Sequence, residues 1–156
     1  MTEPWMSADA IAIARSIVAA HRRHTGRDLV HPTDDDRALA QALHAMPAFV
    51  LAHDGAADPR YIYANRAAQQ LWGYTAAEFI GMPSRLSAPP DQRVRRDGML
   101  ATARTAGVIV APDLLRVTRD GRRFVIAEVT LWNLDQDGVR GQAACGARWR
   151  FLADPT

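Results

Sequence analysis

The chain has 156 residues, a formal charge of +2, 48% apolar and 23% charged residues, a composition that fits one globular domain and excludes wholesale disorder. All 19 basic residues are Arg, which excludes Schiff-base, P-loop and general-base chemistry by Lys, and the single cysteine, Cys145, excludes an intrachain disulfide. The pI near 9.2 reflects the missing Lys rather than a strong field at pH 7, so charge gives no reason to expect nucleic-acid binding.

The N-terminus lacks a basic stretch followed by a long apolar core, and no apolar run is long enough to span a bilayer. A cytoplasmic location, with no membrane partner, is therefore expected. Ser7 is placed to cap a helix running to about His24, whose apolar stripe is Ile11, Ile13, Ala14, Ile17, Val18 and Ala20. Arg22, Arg23 and His24 complement the dipole of its last turn, and Gly26 ends it. Thr33 is expected to open a second helix, with Asp34, Asp35 and Asp36 in its first turn and its end near Met46, before Pro47. Residues 1–47 thus read as a helical extension, 48–151 as the core domain and 152–156 as a short tail.

Phe49 to Ala52 reads as a buried strand, Asp54 to Pro59 as a loop, and Tyr61 to Ala64 as a second strand. Asn65 caps a helix through Trp72 that Gly73 closes, and Thr75 and Glu78 form a capping box for another short helix ending at Gly81. A longer helix is expected from Asp91 to Ala106, stopped by Gly107. Strands Val108–Ala111 and Leu114–Thr118 flank Pro112. Asp120-Gly121 and Asp137-Gly138 are hairpin turns around a long strand, about Arg123 to Leu134, and a final strand runs from Gly141 to Phe151. This order gives an α+β fold with a five-stranded antiparallel sheet.

On strict alternation, one face of the long strand carries Phe124, Ile126, Glu128, Thr130 and Trp132, and the other Val125, Ala127, Val129 and Leu131. Neither face is polar, so both should be covered. The intervening helices can cover one face. The N-terminal helix or a second subunit must cover the other, which makes a homodimer plausible.

The segment from Tyr61-Ile-Tyr-Ala-Asn65 through Gly73-Tyr74 to Glu78 and Gly81, with the Arg119-Asp120-Gly121 hairpin, resembles a PAS domain over about residues 48–151. Arg22-Arg23-His24-Thr25-Gly26-Arg27-Asp28-Leu29, Met82-Pro83-Ser84-Arg85-Leu86-Ser87, and Thr130-Leu131-Trp132-Asn133-Leu134 with Gly141-Gln142-Ala143-Ala144 resemble the MEKHLA family more closely. That family is PAS-like. It occurs as stand-alone bacterial proteins and at the C-terminus of plant class III homeodomain–leucine zipper proteins. The resemblance implies a sensory or protein-interaction module rather than an enzyme, signalling through self-association or a separate signalling protein.

Gly81 to Leu86 also resembles the light-sensing LOV branch of PAS. There a Cys attacks the flavin and the next Arg holds its phosphate; here Ser84 and Arg85 occupy those positions. A hydroxyl cannot replace the thiolate nucleophile. Two ring-binding Asn positions of that branch fall near Arg116 and Ile126, so flavin is not expected and no cofactor is assigned.

The candidate lining of a small-ligand pocket between sheet and helices is Tyr63, Asn65, Trp72, Tyr74, Ser84, Arg85, Leu86, Ile126, Glu128 and Trp132. Arg85 could clamp an anion or brace a loop. Glu128, if inward, needs a partner such as Arg85 or a ligand donor; otherwise it is a rim residue. The aromatics could line the pocket or fill the core, and Ser84 could bond a ligand or cap a helix. Two alternatives to the sensory reading are a small cavity enzyme with Glu128 as acid/base and a flavin-binding LOV-like protein lacking the adduct Cys. Cys145, flanked by Ala144 and Gly146, reads as packing, His21 and His24 as an exposed helix end, His53 as a strand end without a nucleophile, and Arg93, Arg95, Arg96 and Arg104 as a solvated helix face.

Overall fold

The helix signals of the first 46 residues resolve into two helices in a computed structural model that describes residues 3–136 and 138–153. Helix α1 (Ala8–Thr25) is capped by the Ser7 hydroxyl, which accepts from the Ala10 amide, and ends at Gly26 in the left-handed conformation. Helix α2 (Asp36–Ala45) starts two residues later than the sequence indicates. Asp35 rather than Thr33 caps it, its carboxylate accepting from the amides of Arg37 and Ala38. Thr33 instead accepts from the Asp35 amide, holding the cap in place.

Strands β1 (Phe49–His53) and β2 (Tyr61–Ala64) follow, then short helices α3 (Arg66–Trp72) and α4 (Ala76–Phe79). The predicted capping box at Thr75 and Glu78 is present. A 3-10 turn at Ser84–Ser87 and another at Pro90–Gln92 lead into α5 (Arg93–Ala106). Then come β3 (Val108–Val117), β4 (Arg123–Gln136), β5 (Val139–Gly146) and β6 (Trp149–Phe151). Pro112 does not break β3, because β3 is an edge strand, where a missing N–H is tolerated. Asp137 of the second predicted turn lies outside the described residues; Gln136 and Val139 pair across that turn, and Gly138 has φ 76.

The strands described form one antiparallel sheet in the order β2-β1-β5-β4-β3, with β6 also on β4. The sheet has six strands rather than five because the predicted final strand breaks after Gly146. The registers Thr130 with Cys145 and Ile126 with Trp149 run on across the break, and the Ala127 amide still donates to the Arg148 carbonyl at 3.0 Å. Gly146 itself is required by close packing: a Cβ there would lie 2.5 Å from the Phe49 ring and 3.1 Å from Ile126.

Both sheet faces are covered. Along β1, Phe49 and Leu51 enter one core cluster and Val50 and Ala52 the other, with every residue of the strand buried. The first cluster joins Phe49, Leu71, Trp72, Phe79, Leu114, Phe124 and Ile126. The second joins Ile17 and Ala20 of α1, Leu39 and Leu43 of α2, and Trp132 and Leu134 of β4. The Trp132 indole N–H donates to the Ile17 carbonyl at 3.2 Å. The chain's own α1 thus covers the second face, and the uncovered-face reason for a homodimer falls away.

Strict alternation fails in β4, and this moves Glu128. Phe124 and Ile126 share the first cluster with Val129, not with Trp132. Inward positions therefore change from even to odd between residues 126 and 129. The partner strand changes in step, since Leu114 and Ala111 pack into the same cluster and Asp113 between them has φ 52. Arg95 of α5 fastens this kink by donating to the carbonyls of Pro112 (3.1 Å) and Asp113 (3.0 Å). Glu128 lies opposite Pro112 and is exposed, not inward.

Candidate functional site

The inner face of the sheet and helix α5 enclose a cavity of about 50 Å³. Its apolar wall comes from Phe49, Leu51, Trp72, Leu114, Ile126, Val129 and Leu131. Its polar groups are Arg96, Arg116, His53 and Gln142, all at most 8% exposed, with Tyr61 and Ser87 beside them.

Each polar group arrives by ordinary secondary-structure spacing. Arg96, Leu100 and Ala103 share the buried face of α5 at helical intervals. Arg116 follows Leu114 by two residues on β3, so both point inward. His53 and Gln142 face each other as partners on β1 and β5.

The Arg96 guanidinium donates to the buried Ser84 hydroxyl and, at 3.4 Å, to the exposed carboxylate of Asp97. Arg116 donates to the carbonyl of its neighbour Leu115 at 2.8 Å. Burial lowers the pKa of both; Arg116 is brought down to about 10, with Arg96 and Arg95 adding like-charge repulsion, and both remain cationic at pH 7. Burial likewise pushes the His53 pKa down to about 4, so its ring is neutral at pH 7. His53 Nδ1 lies 2.9 Å from the Asp54 carbonyl, which makes Nδ1 the protonated nitrogen and Nε2 a buried acceptor with no partner. The Gln142 amide nitrogen donates to Leu100 O (2.9 Å) and Asn133 Oδ1 (3.2 Å), leaving Oε1 without a donor.

Of the residues singled out from sequence, Trp72 and Ile126 line this cavity. Ser84 stands just behind it and holds Arg96. Asn65 is a structural hub instead: its Oδ1 accepts from Val50 and Ala68, and its Nδ2 donates to Leu43 O and Ala48 O. Trp132 and Tyr63 belong to the α1 side of the sheet, because their strand positions are out of phase with the inner face. Tyr63 also borders a wider surface groove of about 840 Å³ beside α1 and α4. Tyr74 packs its ring against Phe79 with the Arg119 guanidinium 5.9 Å above it. Arg85 is exposed and pairs with Asp58 at 3.3 Å, and Leu86 is exposed beside it. Exposed Glu128 does not line the cavity, so neither the Glu128–Arg85 pair nor the Glu128 acid/base reading has geometric support.

Arg96, Arg116, His53 and Gln142 are absent from the pocket lining expected from sequence, where Arg96 reads as solvated face and His53 as a strand end. One signal was available: Arg96 interrupts the apolar face of α5, so it is not part of a solvated face. His21, expected at an exposed helix end, is instead half-buried edge-on to Trp132 with ring centroids 4.8 Å apart. Cys145 is mostly buried, and burial pushes its thiol up to about 11, too high for a ready nucleophile. Among the described residues no cluster of metal-ligating side chains occurs, and no helix is long and apolar enough to cross a membrane.

A model of the MEKHLA domain matches residues 11–151. Among solved structures, the chain is similar to a PAS domain from Colwellia psychrerythraea, with TM-score 0.61 and 17% identity over 72% of this chain and 92% of that one. A light-oxygen-voltage domain studied with a flavin analogue matches at TM-score 0.56 and 19% identity, over 75% and 86%. The light-oxygen-voltage domain of a blue-light-activated histidine kinase from Erythrobacter litoralis matches at TM-score 0.51 and 21% identity, over 70% and 99%. No curated protein matches the chain. The structural likenesses establish the PAS-like fold.

Proposed function

Because the chain belongs to the MEKHLA domain family and folds as a PAS-like domain, we propose that it is a cytoplasmic sensory module in which a small molecule in the sheet–helix cavity sets the packing of α5. The carrying observation is the cavity itself, which is walled by apolar side chains yet contains two buried guanidiniums and two acceptors without donors. Buried polar groups in folded proteins are almost always partnered, so such a set points to an occupant. Output runs through association with another protein, and occupancy acts by favouring one packing of the helices.

The same observations argue against catalysis and against flavin. Glu128 faces solvent, and the Cys145 thiol is held protonated. A cavity of about 50 Å³ suits only a small organic molecule, and it is far smaller than a three-ring flavin needs. Ser84, at the position of the flavin-attacking Cys, is committed to Arg96.

Native mass spectrometry of the full chain purified from its own host tests this function. A small molecule retained by the unaltered protein and lost from Ala144→Leu, which fills the cavity from β5, is the expected result. A bare polypeptide mass would contradict it. The same spectra report subunit number and any co-purifying partner.

A further inference from the structure

Two positive charges sit in the wall of the cavity, and among the described residues no buried carboxylate balances them. Arg96 is 5% and Arg116 8% exposed. The carboxylate nearest Arg96, that of Asp97, lies largely in water, its side chain 72% exposed. No carboxylate among the described residues lies within ion-pairing distance of Arg116. A guanidinium has five N–H donors, and the protein engages two groups on Arg96 and one on Arg116. A buried charge left in this state is costly, and a bidentate anion is its natural complement.

The β1–β5 side of the same cavity offers the opposite chemistry. His53 Nε2 and Gln142 Oε1 are buried acceptors without donors, on residues paired across the two strands. Leu114, Ile126 and Val129 add an apolar wall to the same cavity. A ligand that satisfies all three surfaces carries an anionic group, a short apolar stem and a hydrogen-bond donor. An ammonium donor would be repelled by the two guanidiniums, so a neutral hydroxyl fits better. A phosphate would leave the apolar wall unmatched.

We infer that the cavity binds a small hydroxycarboxylate, its carboxylate held by Arg96 and Arg116 and its hydroxyl donating to His53 or Gln142. This rests on the sensory-cavity reading above and names the class of molecule sensed.

Calorimetric titration of the full chain at pH 7 and matched ionic strength, with sodium lactate, sodium propionate and lactamide as probes, tests it. Lactate should bind best. Propionate, lacking the hydroxyl, should bind about fivefold more weakly, and lactamide, lacking the charge, about tenfold or more. Arg116→Met should lose about tenfold or more of the lactate affinity while keeping its circular dichroism spectrum. Should that variant not fold, Arg96→Met and the lactamide comparison on the unaltered protein decide. Lactamide binding as well as lactate overturns the anion assignment, and propionate matching lactate overturns the hydroxyl assignment. If none of the probes binds, the molecule released from host-purified protein decides. A different hydroxycarboxylate supports the inference, a neutral or cationic molecule overturns it while leaving the sensory cavity intact, and no bound molecule at all overturns both.

Discussion

Replacing Asn65 by Ala is expected to lower the unfolding free energy by about 4 kcal/mol, roughly what orphaning several buried backbone groups costs. Asn65 is fully buried, and its four hydrogen bonds join three elements. Its Oδ1 accepts from Val50 N of β1 at 2.9 Å and from Ala68 N in the first turn of α3 at 3.1 Å. Its Nδ2 donates to Leu43 O near the end of α2 at 3.1 Å and to Ala48 O just before β1 at 2.9 Å. Alanine takes a partner from all four groups in a site closed to water, and only Leu43 O keeps another, the Met46 amide. Asn65→Asp keeps the two acceptor contacts but sets a carboxylate oxygen against two carbonyls, so it should also destabilise strongly. Urea denaturation followed by tryptophan fluorescence measures both variants. A loss below about 1 kcal/mol for Asn65→Ala, the size of an ordinary exposed cap, would show that the hub is not structural.

Acidification should weaken the fold through His53. Its pKa is about 4 in the folded protein, because burial opposes the charged ring, against 6.5 for the free side chain. Between those values the unfolded chain holds a proton at this position that the folded chain does not. Stability from His53 is therefore complete above pH 6.5 and is lost as pH falls toward 4. The full difference is on the order of 3 kcal/mol. His21 and His44, whose pKa values burial also lowers, act in the same direction. Chemical denaturation at pH 7 and pH 4.5 should show the drop, and His53→Gln should flatten it. An unchanged slope in His53→Gln would place the acid sensitivity elsewhere.

The fold was legible in the sequence wherever local chemistry decides structure. Ser7, Asn65, Thr75 and Glu78 mark helix starts, Gly26 and Gly73 mark helix ends, and each does so in the structure. The site was less legible because it depends on strand phase. The paired kink at Asp113 and residues 127–128 reverses which β4 side chains point inward, and it exchanges Glu128 and Trp132 for Val129 and Leu131. No local residue pattern announces that slip; it is held in part by Arg95, a contact between residues far apart in sequence. In sequence Arg116 stands out only as a position where a flavin-binding Asn is missing, though its alternation with Leu114 points it inward. Asn65 is legible as a cap, but its bonds to Leu43 and Ala48 are tertiary and leave no trace in spacing.

A sensory role requires that occupancy of the cavity reach the helices that cover it, and hydrogen–deuterium exchange of the full chain in sodium lactate against sodium chloride of equal ionic strength measures this directly. The expected result is slower exchange of the α5 amides, Arg93–Ala106, and of β3 around Arg116, with the cap-bonded amides of α3 unchanged. Exchange in α5 that stays the same under lactate concentrations at which calorimetry shows the cavity filled would contradict a sensory role for the cavity.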